Sequence, residues 1–249
     1  MPENSHLTQM SEMARVHSKV SGRGYATTTE WDIGLPEKCA WEFLKNYFNS
    51  GDLRHDQGDF PVDRERARDV ILYEWHGDEL TLEEYETIVI RDRSGIKGDR
   101  LHKRIELLRD PVARQLAETF IRMVPEDRRQ PRGTFGVNMF RTHTDVVTKP
   151  HQDDEEFIFL YVLDRDGDGA VSYLYDNDQT GRPAVAEDAK PLMWQQLNPG
   201  ELMIFEDARF KHGATPLVAP ETGQAKRDVL VCTIDYPSTY LERDDAAAG

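Results

Sequence analysis

Cysteine is nearly absent. Cys39 and Cys232 are the only two in 249 residues, too few for a disulfide framework and not spaced as zinc ligands. Cys232 stands in the apolar run Val229-Leu230-Val231-Cys232-Thr233-Ile234, where a small buried hydrophobe explains it better than a reactive thiol. No run approaches the ~20 apolar residues of a membrane span. Basic charge is scarce too: 31 Lys and Arg against 46 Asp and Glu leave a net charge of −15. Phosphate backbones are held by clustered Lys and Arg, so nucleic acid is not an expected partner, and neither is an anionic membrane surface. The first thirty residues carry charge throughout and lack the apolar centre of a signal peptide, so the expected location is cytoplasmic.

Hydrophobic residues at 38% and charged residues at 31% fit a globular protein with a sizeable core. The stretch up to residue 28 is polar and expected to be loosely ordered, and 241–249 is a frayed tail. Between them, 29–240 reads as one domain, helical over about 29–130 and strand-rich over about 131–240. In "EKCAWEFLKNYFNSG", Ala40, Phe43, Leu44 and Phe48 recur at helical spacing before Gly51. In "DPVARQLAETFIRMV", Pro111 suits a first helical turn, and Val112, Leu116, Phe120, Ile121 and Val124 share a face. After Pro131 come short runs of β-branched and aromatic residues divided by Gly, Pro, Asp and Asn. Helices first and strands later predict an α+β fold, a sheet-rich core braced by helices.

Two metal signatures lie within residues 149–176. Asp164, Asp166, Asp168, Gly169 and Ser172 fall at positions 1, 3, 5, 6 and 9 of a calcium loop. Position 12 is Tyr175, which supplies no carboxylate, and the flanks "FIFLYVL" and "VSYLY" have strand rather than helix composition. An acidic Gly-rich turn between strands explains the same letters. The second signature is His151-Gln152-Asp153. In an extended segment side chains alternate, so His151 and Asp153 project to one side; a solvated polar turn after Pro150 is the alternative.

His212-Gly213 follows the strand-like run "ELMIFED". Two histidines and a carboxylate form the facial triad of non-heme iron(II) oxygenases, which leaves positions open for other ligands. Fifteen residues on, Arg227 heads "RDVLVCTIDY". An arginine entering a core strand is costly to bury unless it meets an anion, and its planar fork suits a carboxylate; a surface arginine before the strand begins is the alternative.

The order "HQD", about sixty residues, "HG", then "RDVLV" resembles the iron(II)/2-oxoglutarate-dependent dioxygenases. Within them, "HQDDEEFIFLYVLDR", "GAVSYLYD" and "FEDARFKHGATPL" are most similar to the bacterial branch of free amino acid hydroxylases such as the L-isoleucine dioxygenases. The resemblance spans roughly residues 130–237 and departs from the branch at Asp154 and at "DRDGDGAVS". It implies a double-stranded β-helix, a jelly-roll and cupin-like core with supporting N-terminal helices. It implies iron(II) held by His151, Asp153 and His212, 2-oxoglutarate paired through its distal carboxylate with Arg227, and O2 as oxidant. The implied activity is hydroxylation of a free amino acid or derivative, with succinate and CO2 as coproducts. A zwitterionic substrate needs its own carboxylate partner, for which Arg141 and Arg165 are candidates, and Tyr161, Tyr173 and Tyr175 are candidate pocket residues. Ring closure or desaturation on the same cofactors, a cupin-like non-redox metalloenzyme and a calcium-stabilised binding module are the alternative functions. An apolar face on the N-terminal helices leaves room for a homodimer.

Overall fold

The computed structural model describes residues 3–36, 38–51, 53–55, 64–85, 89–90, 100–101, 105–143, 148–153, 155–177, 189–221 and 223–236. In chain order the elements are α1 (Glu3–Arg23), β1 (Tyr25–Thr29), α2 (Cys39–Phe43), β2 (Arg54–His55), β3 (Arg64–His76), β4 (Glu79–Glu84), β5 (Val89–Ile90), β6 (Arg100–Leu101) and α3 (Pro111–Met123). There follow β7 (Arg132–Thr142), β8 (Thr148–His151), β9 (Phe157–Asp166), β10 (Asp168–Gly169), β11 (Ser172–Asp176), β12 (Met193–Gln195), β13 (Glu201–Glu206), β14 (Phe210–Ala214), β15 (Leu217–Val218) and β16 (Lys226–Asp235).

An eight-stranded antiparallel sheet runs β1-β13-β9-β16-β7-β3-β2, with β4 also on β3. A four-stranded sheet, β12-β11-β14-β8, supplies the second layer. Together they make the jelly-roll core. Strand alternation gives the main sheet two apolar faces. On β9, Phe157, Phe159, Tyr161 and Leu163 join the core shared with the helices, whereas Ile158, Val162 and the partly buried Leu160 belong to the cluster between the sheets.

Both predicted helices form. α2 continues as a π-helical turn over Leu44–Phe48, with Asn49 N–H donating to Leu44 O (2.9 Å), and Phe43 and Phe48 are buried. α3 starts at Pro111 because the Asp110 side chain accepts from the backbone N–H of Val112 (2.8 Å) and Ala113 (3.4 Å), an N-cap that satisfies otherwise orphaned donors. Its Phe120 stacks on Phe159 (centroids 5.2 Å apart) and meets Tyr161 edge-on (5.9 Å).

Two expectations are corrected. From Glu3 the N-terminal stretch forms regular structure: α1 buries Val16 and Val20, four apart on one face, against the main core. Gly24, at φ 84°, ends the helix and lets β1 pair with β13 from Tyr25↔Phe205 to Thr29↔Glu201. Nor is the stretch 29–130 simply helical, because the thirteen-residue β3 lies in the main sheet beside β7. The tail 241–249 lies outside the described residues.

The acidic run is a turn between strands. Asp164 pairs with Lys226 (2.8 Å), and β10 pairs with β15. Gly169 has φ +78°, and a Cβ there would lie 2.1 Å from Pro216 O. Backbone packing therefore accounts for this glycine.

Phe120→Ala is expected to destabilise the fold by about 3–5 kcal/mol through lost burial and a residual cavity, measured by denaturant unfolding. A loss under about 1 kcal/mol would mean that the helix layer is not anchored by this aromatic stack.

Candidate metal centre and cofactor cavity

β8 and β14 lie side by side, with His151 directly opposite His212 and a register irregularity between His212 and Ala214. Asp153 follows just beyond the end of β8. His151 Nε2 lies 3.2 Å from Asp153 Oδ1, and His212 Nε2 lies 3.5 Å from Asp153 Oδ2. The imidazole centroids are 4.3 Å apart. One donor atom from each residue falls within 4.8 Å of the others, the sole such convergence among the described residues.

The other ring nitrogens are engaged from behind. His151 Nδ1 is 2.8 Å from Lys149 O, and His212 Nδ1 is 3.3 Å from Asp207 Oδ1. These contacts leave both Nε2 atoms facing the Asp153 carboxylate, the arrangement in which outer partners orient ligating histidines. Asp207 is fully buried, and its Oδ2 accepts from the backbone N–H of Asp153 (2.9 Å) and Glu155 (3.2 Å). Sequence reasoning missed Asp207. Its signal was a carboxylate closing the apolar strand "ELMIFE", five residues before His212.

Burial opposes charge on His212, but Asp153 and Asp207 outweigh it and push its pKa up to about 9. Burial would likewise raise Asp153, and the two imidazoles instead hold it well below the usual carboxylate range. A proton on His212 thus takes the place a cation would occupy. Two imidazole nitrogens and one carboxylate fit a divalent first-row metal with open coordination positions.

A cavity of about 260 Å³ adjoins the triad and lies between the two sheets. Arg227 reaches it from β16, only 8% exposed. Its Nη2 donates to Ser172 Oγ (3.3 Å), and its Nε has no hydrogen-bond partner. Burial, then repulsion from Arg165 and Arg64, lowers its pKa to about 10. A buried, partly unsatisfied guanidinium among like charges is a site prepared for an anion.

Three other sequence candidates are placed away from the cavity. Arg141 faces the helices, because its bidentate partner Asp228 neighbours Arg227 on β16 and so points to the opposite side of the sheet. Its Nε and Nη2 donate to Asp228 (both 2.8 Å), and its Nη1 donates to Phe48 O (2.9 Å). Tyr161 is buried in the helix-side core, its hydroxyl donating to Glu30. Arg165 stands opposite Arg227 after a bulge, but its Nη2 donates to Asn198 Oδ1 (3.2 Å) and it does not line the cavity. Tyr173 packs on Trp194 (5.6 Å) and Tyr175 (5.5 Å), while Ser172, its chain neighbour, turns inward. Asp154 lies outside the described residues.

A jelly roll that gathers two histidines, a carboxylate and a buried arginine around one cavity has the architecture of a non-heme oxygenase. The family model for 2OG-Fe dioxygenase matches residues 81–233, and the chain belongs to that family. It is an oxidoreductase whose family chemistry uses iron(II), 2-oxoglutarate and O2. Solved structures share the fold: the IDO of Bacillus thuringiensis (16% identity, TM-score 0.64, covering 90% of this chain and 98% of that one) and a bsmA homolog of Methylobium petroleophilum PM1 (17%, 0.69, 90% and 92%). The Fe(II)/(alpha)ketoglutarate-dependent dioxygenase TqaL is a third (15%, 0.69, 94% and 90%). No curated protein matches the sequence. No described helix is long and apolar enough to cross a membrane.

Two outcomes test the site. Arg141→Met leaves the buried Asp228 carboxylate with only the longer contact to Lys226 (3.6 Å) and is expected to cost about 3 kcal/mol of stability, while 2-oxoglutarate affinity stays within about twofold of wild type; impaired cosubstrate binding at unchanged stability would return Arg141 to the site. The second concerns pH. The folded pKa of His212 is raised from 6.5 to about 9, so in metal-free protein its stabilising contribution is fully present below about 6.5 and disappears as pH rises through about 9. Thermal melts in chelator should show wild type losing its advantage over His212→Gln across that window, and a constant difference would contradict the assigned charge state.

Proposed function

We propose that this protein oxidises an unactivated C–H bond of a free amino acid or amino acid derivative. In the balanced reaction, substrate R–H, 2-oxoglutarate and O2 give R–OH, succinate and CO2. The observation that carries the reading is one cavity holding the triad beside a buried arginine with an unmet donor. The resemblance of "HQDDEEFIFLYVLDR" and "FEDARFKHGATPL" to the free amino acid hydroxylases supports the substrate class, and a cavity of about 260 Å³ suits small molecules.

His151, Asp153 and His212 would hold iron(II) through two Nε2 atoms and one carboxylate oxygen. When bound, the iron supplies the activation of O2 that couples decarboxylation of the cosubstrate to oxidation of the substrate. The protein's own work is to bind, orient and shield. Asp207 fixes the His212 ring and, through two backbone N–H groups, the turn that carries Asp153. Arg227, backed by the Ser172 hydroxyl, pairs with the distal carboxylate of 2-oxoglutarate. Apolar side chains including Leu160, Met203 and Phe205 line the cavity and reduce water around the reacting atoms.

Anaerobic addition of iron(II) and 2-oxoglutarate to apo-protein is expected to give a weak visible charge-transfer band, absent in His151→Ala. Admission of air with a panel of free amino acids should then release succinate in step with one of them. Arg227→Lys keeps the charge but loses the fork, so 2-oxoglutarate affinity should fall about tenfold or more. Wild-type affinity in that variant removes Arg227 from the clamp; no band and no succinate from a folded wild type removes the oxygenase reading of this site.

A further inference from the structure

Arg227 shares its wall with other charged side chains. The register places Arg227 opposite Thr142, and Thr142 opposite Arg64, so one row crosses β16, β7 and β3. Directly opposed residues on antiparallel strands share a face, and all three line the cavity. On the other flank Arg165 of β9 stands opposite Arg227. Three arginines and a threonine therefore occupy one row across four strands, in a protein whose net charge is −15.

Arg165 and Arg227 are directly opposed like charges, and such a pair destabilises a sheet unless an anion meets it. The distal carboxylate of 2-oxoglutarate answers the Arg227 and Ser172 end. Arg64 stands two strands away, beyond Thr142, at about 4.8 Å per strand. Its guanidinium lies over the Phe140 ring (5.5 Å), and Arg66 lies over the same ring (4.9 Å). The next rows on this face carry Val229 with Phe140 and Arg66, then Leu160 with Val231, Asn138 and Arg68; of these the apolar Val229, Phe140, Leu160 and Val231 line the cavity and the polar members do not. The wall therefore presents a second cationic end followed by a greasy surface.

We propose that Arg64 recognises the carboxylate of the substrate to be oxidised, with the Thr142 hydroxyl as a second donor, and that the substrate is a small carboxylic acid whose apolar body lies along Phe140, Val229, Leu160 and Val231. This rests on the reading above, in which Arg227 holds the cosubstrate. It replaces Arg141 and Arg165, the arginines expected for this role from the sequence, with a residue of β3.

The test uses the full chain loaded with cobalt(II) in place of iron, without oxygen, and calorimetric titration first with 2-oxoglutarate and then with isocaproate or isocaproamide, which differ only at the carboxylate. Wild type is expected to bind isocaproate at least about tenfold more tightly than the amide. Arg64→Gln should abolish that preference while keeping 2-oxoglutarate affinity within about twofold, and Arg64→Lys should restore part of the preference. A preference that survives Arg64→Gln overturns the proposal, as does a wild type that binds both probes equally or neither. A loss of 2-oxoglutarate affinity in Arg64→Gln as large as that in Arg227→Lys also overturns it, by making Arg64 part of the cosubstrate clamp. The first titration tests the underlying reading separately: a wild type that takes up no 2-oxoglutarate sinks that reading, whereas one that takes it up but ignores the carboxylate sinks only the role of Arg64.

Discussion

A single buried carboxylate, Asp207, holds the candidate metal centre together. It sits in the 3-10 turn Asp207–Arg209 between β13 and β14, one oxygen facing His212 Nδ1 and the other receiving two backbone N–H groups from the segment after β8. Removing an ionised carboxylate from water costs several kcal/mol, and charge-assisted hydrogen bonds from fixed amides offset much of it. Asp153 and His212 lie 59 residues apart in sequence, and this one group sets their relative position. It also couples tautomer to backbone, since the oxygen that orients the ring shares its charge with the oxygen that shapes the turn.

The rest of the design follows from the two faces of the main sheet. Arg227 and Asp228 are chain neighbours with opposite surroundings: the first enters the cavity and the second is sealed beneath the helices by Arg141. The π-helical turn after α2 matters here, because Phe48 O and Asn49 Oδ1 accept two further Arg141 donors. Helix layer and cavity are therefore built on opposite sides of the same strands, and the first gives the second a stiff floor.

Some of this was legible in the residues. His151 and Asp153 are two apart, and His212 and Arg227 each flank a strand-like run, so these residues could be singled out before their convergence was known. A sheet-rich core was legible from the dense short strands after Pro131, and the jelly roll from the family resemblance of the motifs they carry. β3 was not, because "RERARDVILYEWH" sets arginines where an apolar face would be expected, and the cavity that Arg64 lines is a tertiary feature. α1 was missed because, among its described side chains, Met13, Val16 and Val20 are the hydrophobics that pack on the main core, and the sequence around them is mostly polar. Tyr161 and Arg141 were misplaced because residue type alone does not tell which face of the main sheet a side chain enters. The bulge opposite Asp228 and Val229 then shifts Arg165 to the side of Arg227, which no spacing rule anticipates.

The arginine row has a kinetic side. A chain of net charge −15 surrounds itself with a field that repels 2-oxoglutarate, a dianion, over distances comparable to the Debye length, about 8 Å at physiological ionic strength. In its proposed role, Arg227 attracts the same ion only after it has left bulk solvent, where mobile salt penetrates poorly. Added salt therefore acts unequally on the two stages, easing arrival through the repulsive exterior while leaving residence at the guanidinium largely intact.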